Sequence, residues 1–229
     1  MKSIPQKNIA AIILLAGAIC LATGCQTVPR PIATVQTRAA QSATTPSEAL
    51  EKLKSGNQRF VAGQSLHRDY PAQVRAASGG QYPFAVVLSC IDSRCSPEQI
   101  FDQGIGDIFD ARVAGNVLND DILGSMEFAC QLAGAKLIMV VGHTKCGAIK
   151  GAASHTELGH LTGLLAKIEP VVSGKTPAEI DAAAVANVKR VLEQIRDSSP
   201  ILAGMINRGE IGLAGGICDL DTGKVDFFK

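Results

Sequence analysis

The sequence predicts an α/β fold: a mostly parallel central sheet with an antiparallel edge strand, flanked by helices. Three observations predict it. Residues 84–88 and 137–141 are short apolar, partly β-branched runs of the kind that form strands buried on both faces. Helical patterns stand between the apolar runs, so the strands they connect need crossovers and run parallel. Near the end, the run 211–218 meets Asp221-Thr222-Gly223 and then 224–228, a tight hairpin that places the last strand antiparallel at an edge. A chain of 229 residues with 46% apolar content can bury one ordinary core, and no second domain is needed. The net charge is +1 with Lys and Arg scattered, which excludes an electrostatic footprint for nucleic acid.

The elements follow in order. Lys2 and Lys7 precede an apolar run, 9–21, too short for a comfortable membrane span and of the length of a signal core. The run ends in Leu21-Ala22-Thr23-Gly24-Cys25, which resembles a bacterial lipoprotein cleavage site, although Ala22 stands where Leu is usual. On that reading residues 1–24 are a signal peptide and Cys25 becomes the lipidated first residue. Cleavage nearby by an ordinary signal peptidase and an uncleaved anchor are the alternatives. All three export the domain to the periplasm or cell envelope, with membrane contact only through the N-terminal lipid or leader. Residues 25–44, rich in Thr, Ala, Gln and Pro, read as a flexible tether, leaving 45–229 as the folded domain.

Thr45-Pro46-Ser47-Glu48 combines a cap, a proline at the first helical position and a glutamate that closes a capping box. The helix it starts carries Leu50, Leu53, Phe60 and Val61 as an apolar stripe. His67 to Pro71 reads as loop, with His67 solvated, and a short helix precedes Gly79-Gly80 and the first strand. Ser96-Pro97-Glu98-Gln99 opens another helix, and 108–113 is the next strand. Gly104-Ile105-Gly106 lies before that strand, not between a strand and a helix, so it is no nucleotide loop. Asn119-Asp120 caps a helix through Leu132 that Gly134 stops, with Ile122, Leu123, Met126 and Cys130 on one face. Helices over 159–168 and 176–195 follow the strand at 137–141.

Two runs carry chemistry: Ser89-Cys90-Ile91-Asp92-Ser93-Arg94 and Gly142-His143-Thr144-Lys145-Cys146-Gly147. Each leaves the end of a strand, where α/β proteins place their sites. Two thiols and an imidazole from two strand ends can meet at one Zn²⁺. A structural site would close with four Cys or His ligands, and no fourth stands at ligand spacing. Asp92 is the nearest candidate, so the metal takes either that carboxylate or keeps an open position. Of the other cysteines, Cys130 and Cys218 read as core, and Cys95 sits one residue past Arg94 as a small buried residue. His155 and His160 have no partner at ligand spacing.

These motifs, with Arg112-Val113-Ala114-Gly115-Asn116 and Gln81 nine residues before Cys90, resemble a β-class carbonic anhydrase from about Thr45 onward. The resemblance implies that fold, Zn²⁺ (one per subunit) held by Cys90, His143 and Cys146, and reversible hydration of carbon dioxide to bicarbonate. It implies an Asp92–Arg94 dyad beside the metal, with Asp92 able to replace water as a ligand in some members. It assigns Gln81 to substrate, and Phe109, Ala114, Phe128 and Gly147 to the pocket. It also implies a homodimer or higher assembly, which the helix after Thr45 helps to build. Members with an inhibitory bicarbonate carry Trp three residues before the first cysteine. Here that residue is Val87 and the chain has no Trp, so this inhibition is expected to be absent or weak. Carbonyl sulfide or carbon disulfide hydrolysis on the same fold is the nearest alternative. A non-catalytic envelope zinc module is a second, and a redox role for Cys90 and Cys95, whose spacing is not Cys-x-x-Cys, a third.

Overall fold

A computed structural model describes residues 30–228, in which a compact unit begins at Pro31. The leader and Cys25 lie outside the described residues. Five strands form one sheet in the order β2-β1-β3-β4-β5. They are β1 (Ala85–Ser89), β2 (Ile108–Arg112), β3 (Leu137–His143), β4 (Gly212–Cys218) and β5 (Val225–Phe228). The first four run parallel, and β5 pairs antiparallel with β4.

The central position of β1 and β3 explains their uninterrupted apolar runs, because every residue of both is buried. One face packs Val86, Leu88, Ile138 and Val140 against α5 (Asp120–Glu127), α8 (Pro177–Ser198) and α9 (Pro200–Asn207). The other packs Ala85, Val87, Leu137, Met139 and Val141 against α2 (Pro46–Val61) and α4 (Pro97–Ile100). The glycines of β4 bring α8 onto the sheet: a Cβ at Gly215 would sit 2.8 Å from a Val188 methyl.

Both capping boxes form, Thr45 with Glu48 at the start of α2 and Thr176 with Glu179 at the start of α8. The helix of α5 continues as a wide π turn, Phe128–Leu132, and Gly134 ends it at φ +84. Asp69 caps α3 (Tyr70–Ala77), and His67 is exposed as expected. Buried Asp102 ties the preceding loop down, pairing with Arg59 and Arg68 and accepting the Leu66 N–H.

The tether reading is corrected over 31–44. Helix α1 (Arg38–Ala43) lies in this stretch, and the buried Gln41 amide donates to the Pro83 and Ala133 carbonyls, each at 2.8 Å. Ile32 exchanges backbone hydrogen bonds with His67 and Asp69. Composition marked these residues as unable to bury an apolar face, but polar anchoring to two loop carbonyls, one ahead of β1 and one at the end of the π turn, holds them instead.

Candidate metal centre

The sulfur and nitrogen ligands gather at the carboxyl ends of the parallel strands. Cys90 follows the last residue of β1, His143 is the last residue of β3, and Cys146 occupies the cap position of α6 (Gly147–Ala153). Their ligand atoms all lie within 4.8 Å of one another, and the three residues are 6%, 1% and 2% exposed. The backbone is shaped to bring them there. Lys145 turns the chain with φ +56, its N–H held by Asp181 at 2.7 Å and its ammonium paired with Asp221. The Thr144 N–H donates to the Cys218 carbonyl on the neighbouring strand at 3.0 Å.

His143 is prepared as a ligand. Its Nδ1 lies 2.9 Å from the Thr144 carbonyl, which fixes the proton on Nδ1, and its Nε2 is buried with no hydrogen-bond partner among the described residues. An orphaned imidazole nitrogen facing two thiols is costly without an ion to accept its lone pair. The Cys146 thiol beside Cys90 lowers the Cys90 thiol to about 4, against burial and helped by His143 and the Gly115 N–H, while Cys146 is pushed up by the same contact. This S, N, S donor set fits Zn²⁺.

Gly115 supplies one further contact, its N–H donating to Cys90 Sγ at 3.3 Å. It does so with φ +68, in a place where a Cβ would stand 2.5 Å from Ile168 Cδ1. Glycine alone meets both demands. Asn187 of α8 donates to the Gly115 carbonyl at 2.8 Å.

Asp92 is not in the three-residue ligand cluster. Arg94 grips it through Nε to Oδ1 at 2.9 Å, Nη2 to Oδ2 at 2.7 Å and its backbone N–H to Oδ1 at 3.0 Å. That guanidinium holds the Asp92 carboxyl well below the usual carboxylate range. Even so, Asp92 Oδ2 remains 3.9 Å from His143 Nε2, at the edge of the cradle. Arg112, named before only as part of a motif, has a role the sequence did not disclose. Its guanidinium donates to the Cys90 and Asp92 carbonyls at 2.9 and 2.6 Å and fixes the loop's backbone.

Ala114 and Gly147 flank the cradle, next to Gly115 and Cys146 respectively. Gln81, Phe109 and Phe128 do not join it within one chain. Phe109 pairs in register with Val86, four residues before Cys90, which separates it from the cradle by about 13 Å along the strand. Phe128 meets Phe109 edge-on at a centroid distance of 6.2 Å, and the two line a cavity with Val86 and Asp110. Gln81 is exposed ahead of the opposite end of β1. Cys95 is buried as expected, but it is not alone: Cys218 lies in the same α2-side core cluster, and the two thiols shift each other, Cys95 upward and Cys218 downward.

Comparison with known proteins agrees with this geometry. A family model described as carbonic anhydrase matches residues 85–225. "Carbonic anhydrase 2" of Mycobacterium tuberculosis is 35% identical over 190 residues, covering 79% of this chain and 92% of that protein. A carbonic anhydrase of Mycolicibacterium smegmatis is 34% identical over 192 residues with the same coverage. Among solved structures, the β-carbonic anhydrase CcaA aligns with a TM-score of 0.64 at 26% identity, over 79% of this chain and 95% of its own. The β-carbonic anhydrase CafA of Aspergillus fumigatus aligns at 0.63 and 28% identity, over 80% and 90%. With a buried Cys-His-Cys cradle and a carboxylate–guanidinium pair at its edge, the chain belongs to the β-class carbonic anhydrases, zinc lyases that interconvert carbon dioxide and bicarbonate.

Proposed function

We propose that Asp92 is the catalytic carboxylate of this hydration and that Arg94 positions it. The carrying observation is that both Asp92 oxygens are bound by Arg94 while Oδ2 stays 3.9 Å from the bare His143 Nε2. Zinc, when bound by Cys90, His143 and Cys146, supplies the Lewis acidity that makes water a nucleophile near neutral pH. Asp92, kept ionised, accepts the hydrogen bond of the attacking water and aims its oxygen lone pair at the carbon of carbon dioxide. Ala114 and Gly147 give the substrate a small, mostly apolar wall. The test is stopped-flow hydration by the zinc-loaded chain with Asp92→Asn and Cys146→Ser, and wild-type rates in both variants would refute these assignments.

Gln81, Phe109 and Phe128 act, on this reading, at the centre of a second copy in a homodimer. Their separation from the cradle of their own chain supports this, as do the exposed Phe128 (52%) and Leu132 (76%) beside the edge strand β2. Val87, wholly buried in β1, leaves no Trp at the position tied to bicarbonate inhibition. Hydration then follows a simple titration with pH, and a sigmoidal profile steepened by bicarbonate would refute this. The leader supports export with lipidation at Cys25, which mass spectrometry of the membrane-extracted protein reads as a diacylated N-terminal cysteine.

A further inference from the structure

Beside the metal cradle lies a second pair of sulfurs that hydration does not use. Cys95 and Cys218 are 2% and 1% exposed and belong to the same buried cluster with Val141, Phe101 and Val225, where each thiol is the chief influence on the other's titration, Cys95 shifted up and Cys218 down. They come from distant parts of the chain. Cys95 closes the turn that carries Asp92 and Arg94, its N–H donating to the Asp92 carbonyl at 3.2 Å. Cys218 ends β4 in register with His143. The pair thus straddles β3, the strand that delivers the imidazole ligand. The remaining described thiol outside the cradle, Cys130, sits in the core on the other face of the sheet, apart from both.

We propose that Cys95 and Cys218 are a disulfide-forming site, a metal-independent cross-link between the Asp92–Arg94 turn and the end of β4. The oxidant is a low-molecular-weight or protein disulfide. One cysteine attacks it, forming a mixed disulfide and expelling one thiol. The second cysteine then attacks the protein sulfur of that mixed disulfide, forming the Cys95–Cys218 bond and expelling the second thiol. Two electrons pass to the reagent, and the two protons of the cysteines end on the two leaving thiols. Zinc would shield Cys90 and Cys146 from the same exchange, because a sulfur lone pair of each is engaged by the metal, and Cys130 has no neighbouring thiol among the described residues. The bond closes a loop of more than a hundred residues, the case in which a cross-link most restricts the unfolded chain. It also tethers the turn carrying Asp92 and Arg94 to the strand end beside His143, so the oxidised form holds its metal longer than the reduced one.

The experiment refolds the full chain from denaturant with zinc and excess oxidised glutathione, then isolates the fraction holding one zinc per chain. Acid quenching, alkylation and peptide mass spectrometry follow. The expected result is a linked peptide pair joining Cys95 to Cys218, with Cys90 and Cys146 alkylated once the metal is stripped. The oxidised protein unfolds about 10 °C above the dithiothreitol-reduced one and releases zinc to a chelator several-fold more slowly. Cys95→Ala and Cys218→Ala each abolish both differences while reduced-state hydration is unchanged. Refolding exposes both thiols to the reagent, so burial does not excuse a negative result. If Cys95 and Cys218 of the zinc-holding fraction carry alkyl groups or separate glutathione adducts, the proposal is overturned.

Discussion

Asp92 and Arg94 stand two residues apart on a turn, which lets one guanidinium take both oxygens of one carboxylate. The arginine keeps that carboxyl below its ordinary range, so Asp92 is ionised throughout the neutral region. The sign follows from the depressed value. The stabilisation is complete above the unfolded carboxyl's pKa of about 4 and is lost only as the pH falls through the lower folded value. Replacing Arg94 by Gln lets Asp92 rise toward the ordinary range, where it is still ionised at neutrality, so the expected loss of about tenfold or more in kcat/KM comes from the freed orientation of the carboxylate and not from its charge. A stopped-flow rate at neutral pH equal to that of the wild type would sink the assigned pairing. Gly115 makes a second residue-scale case. Gly115→Ala puts a methyl into Ile168 at a positive φ, so it destabilises by about 1–3 kcal/mol. It also displaces the N–H on the Cys90 sulfur. Denaturant unfolding and zinc titration of the variant check both effects, and a silent substitution would mean that this glycine is not required.

At the scale of elements, α8 carries more of the site than its surface position suggests. Its buried face packs Ile180, Ala183 and Ala184 behind the cradle, while Asp181 holds the Lys145 turn and Asn187 holds Gly115. Asn187→Ala strands the buried Gly115 carbonyl, so a loss of about 1–3 kcal/mol is expected in urea unfolding, together with weaker zinc retention. Loss of stability without faster zinc release would confine Asn187 to the core. The sequence announces α8 and α2 because each opens on a capping box with proline and presents a periodic apolar face. It announces β1 and β3 because central parallel strands must be apolar throughout. It is silent on α1, α6 and α9 for three different reasons. Helix α1 is held by the tertiary bonds of Gln41 and not by an apolar stripe. Helix α6, Gly-Ala-Ile-Lys-Gly-Ala-Ala, has two glycines and no side-chain hydrogen bond at its cap. A single residue, Ser199, separates α8 from α9 and caps the start of α9, so the break is local and easily missed. The ligand cradle was legible because three ligands and an acid–arginine pair need only short spacings. The supports from Arg112, Gly115 and Asn187 reach across 20 or more residues of sequence and appear only in three dimensions.

The whole molecule poses a geometrical problem that one chain does not solve. The ligands gather at the carboxyl ends of the strands, whereas Gln81 precedes the start of β1 and Phe109 lies beside Val86 near that same start. A sheet does not bend its two ends together, so residues from the far end reach a metal only if another molecule presents them. Among the described residues the edge strand β2 has no neighbour on its outer side, and next to it the π turn exposes Phe128 and Leu132. Apolar side chains of this size beside an unpaired strand favour association, both to remove them from water and to satisfy the open edge. In the proposed homodimer a second copy related by a twofold axis would supply the same patch in return, so that each half of the pair would complete the other. The variant Phe128→Asp with Leu132→Glu places charges in this contact and leaves the cradle residues untouched. Sedimentation should then show a monomer, zinc should remain near one per chain, and hydration should fall by about tenfold or more through loss of positioning groups. Retained zinc with lost rate separates this outcome from simple misfolding. A monomer that hydrates carbon dioxide at the wild-type rate would show instead that one chain holds every group the reaction needs.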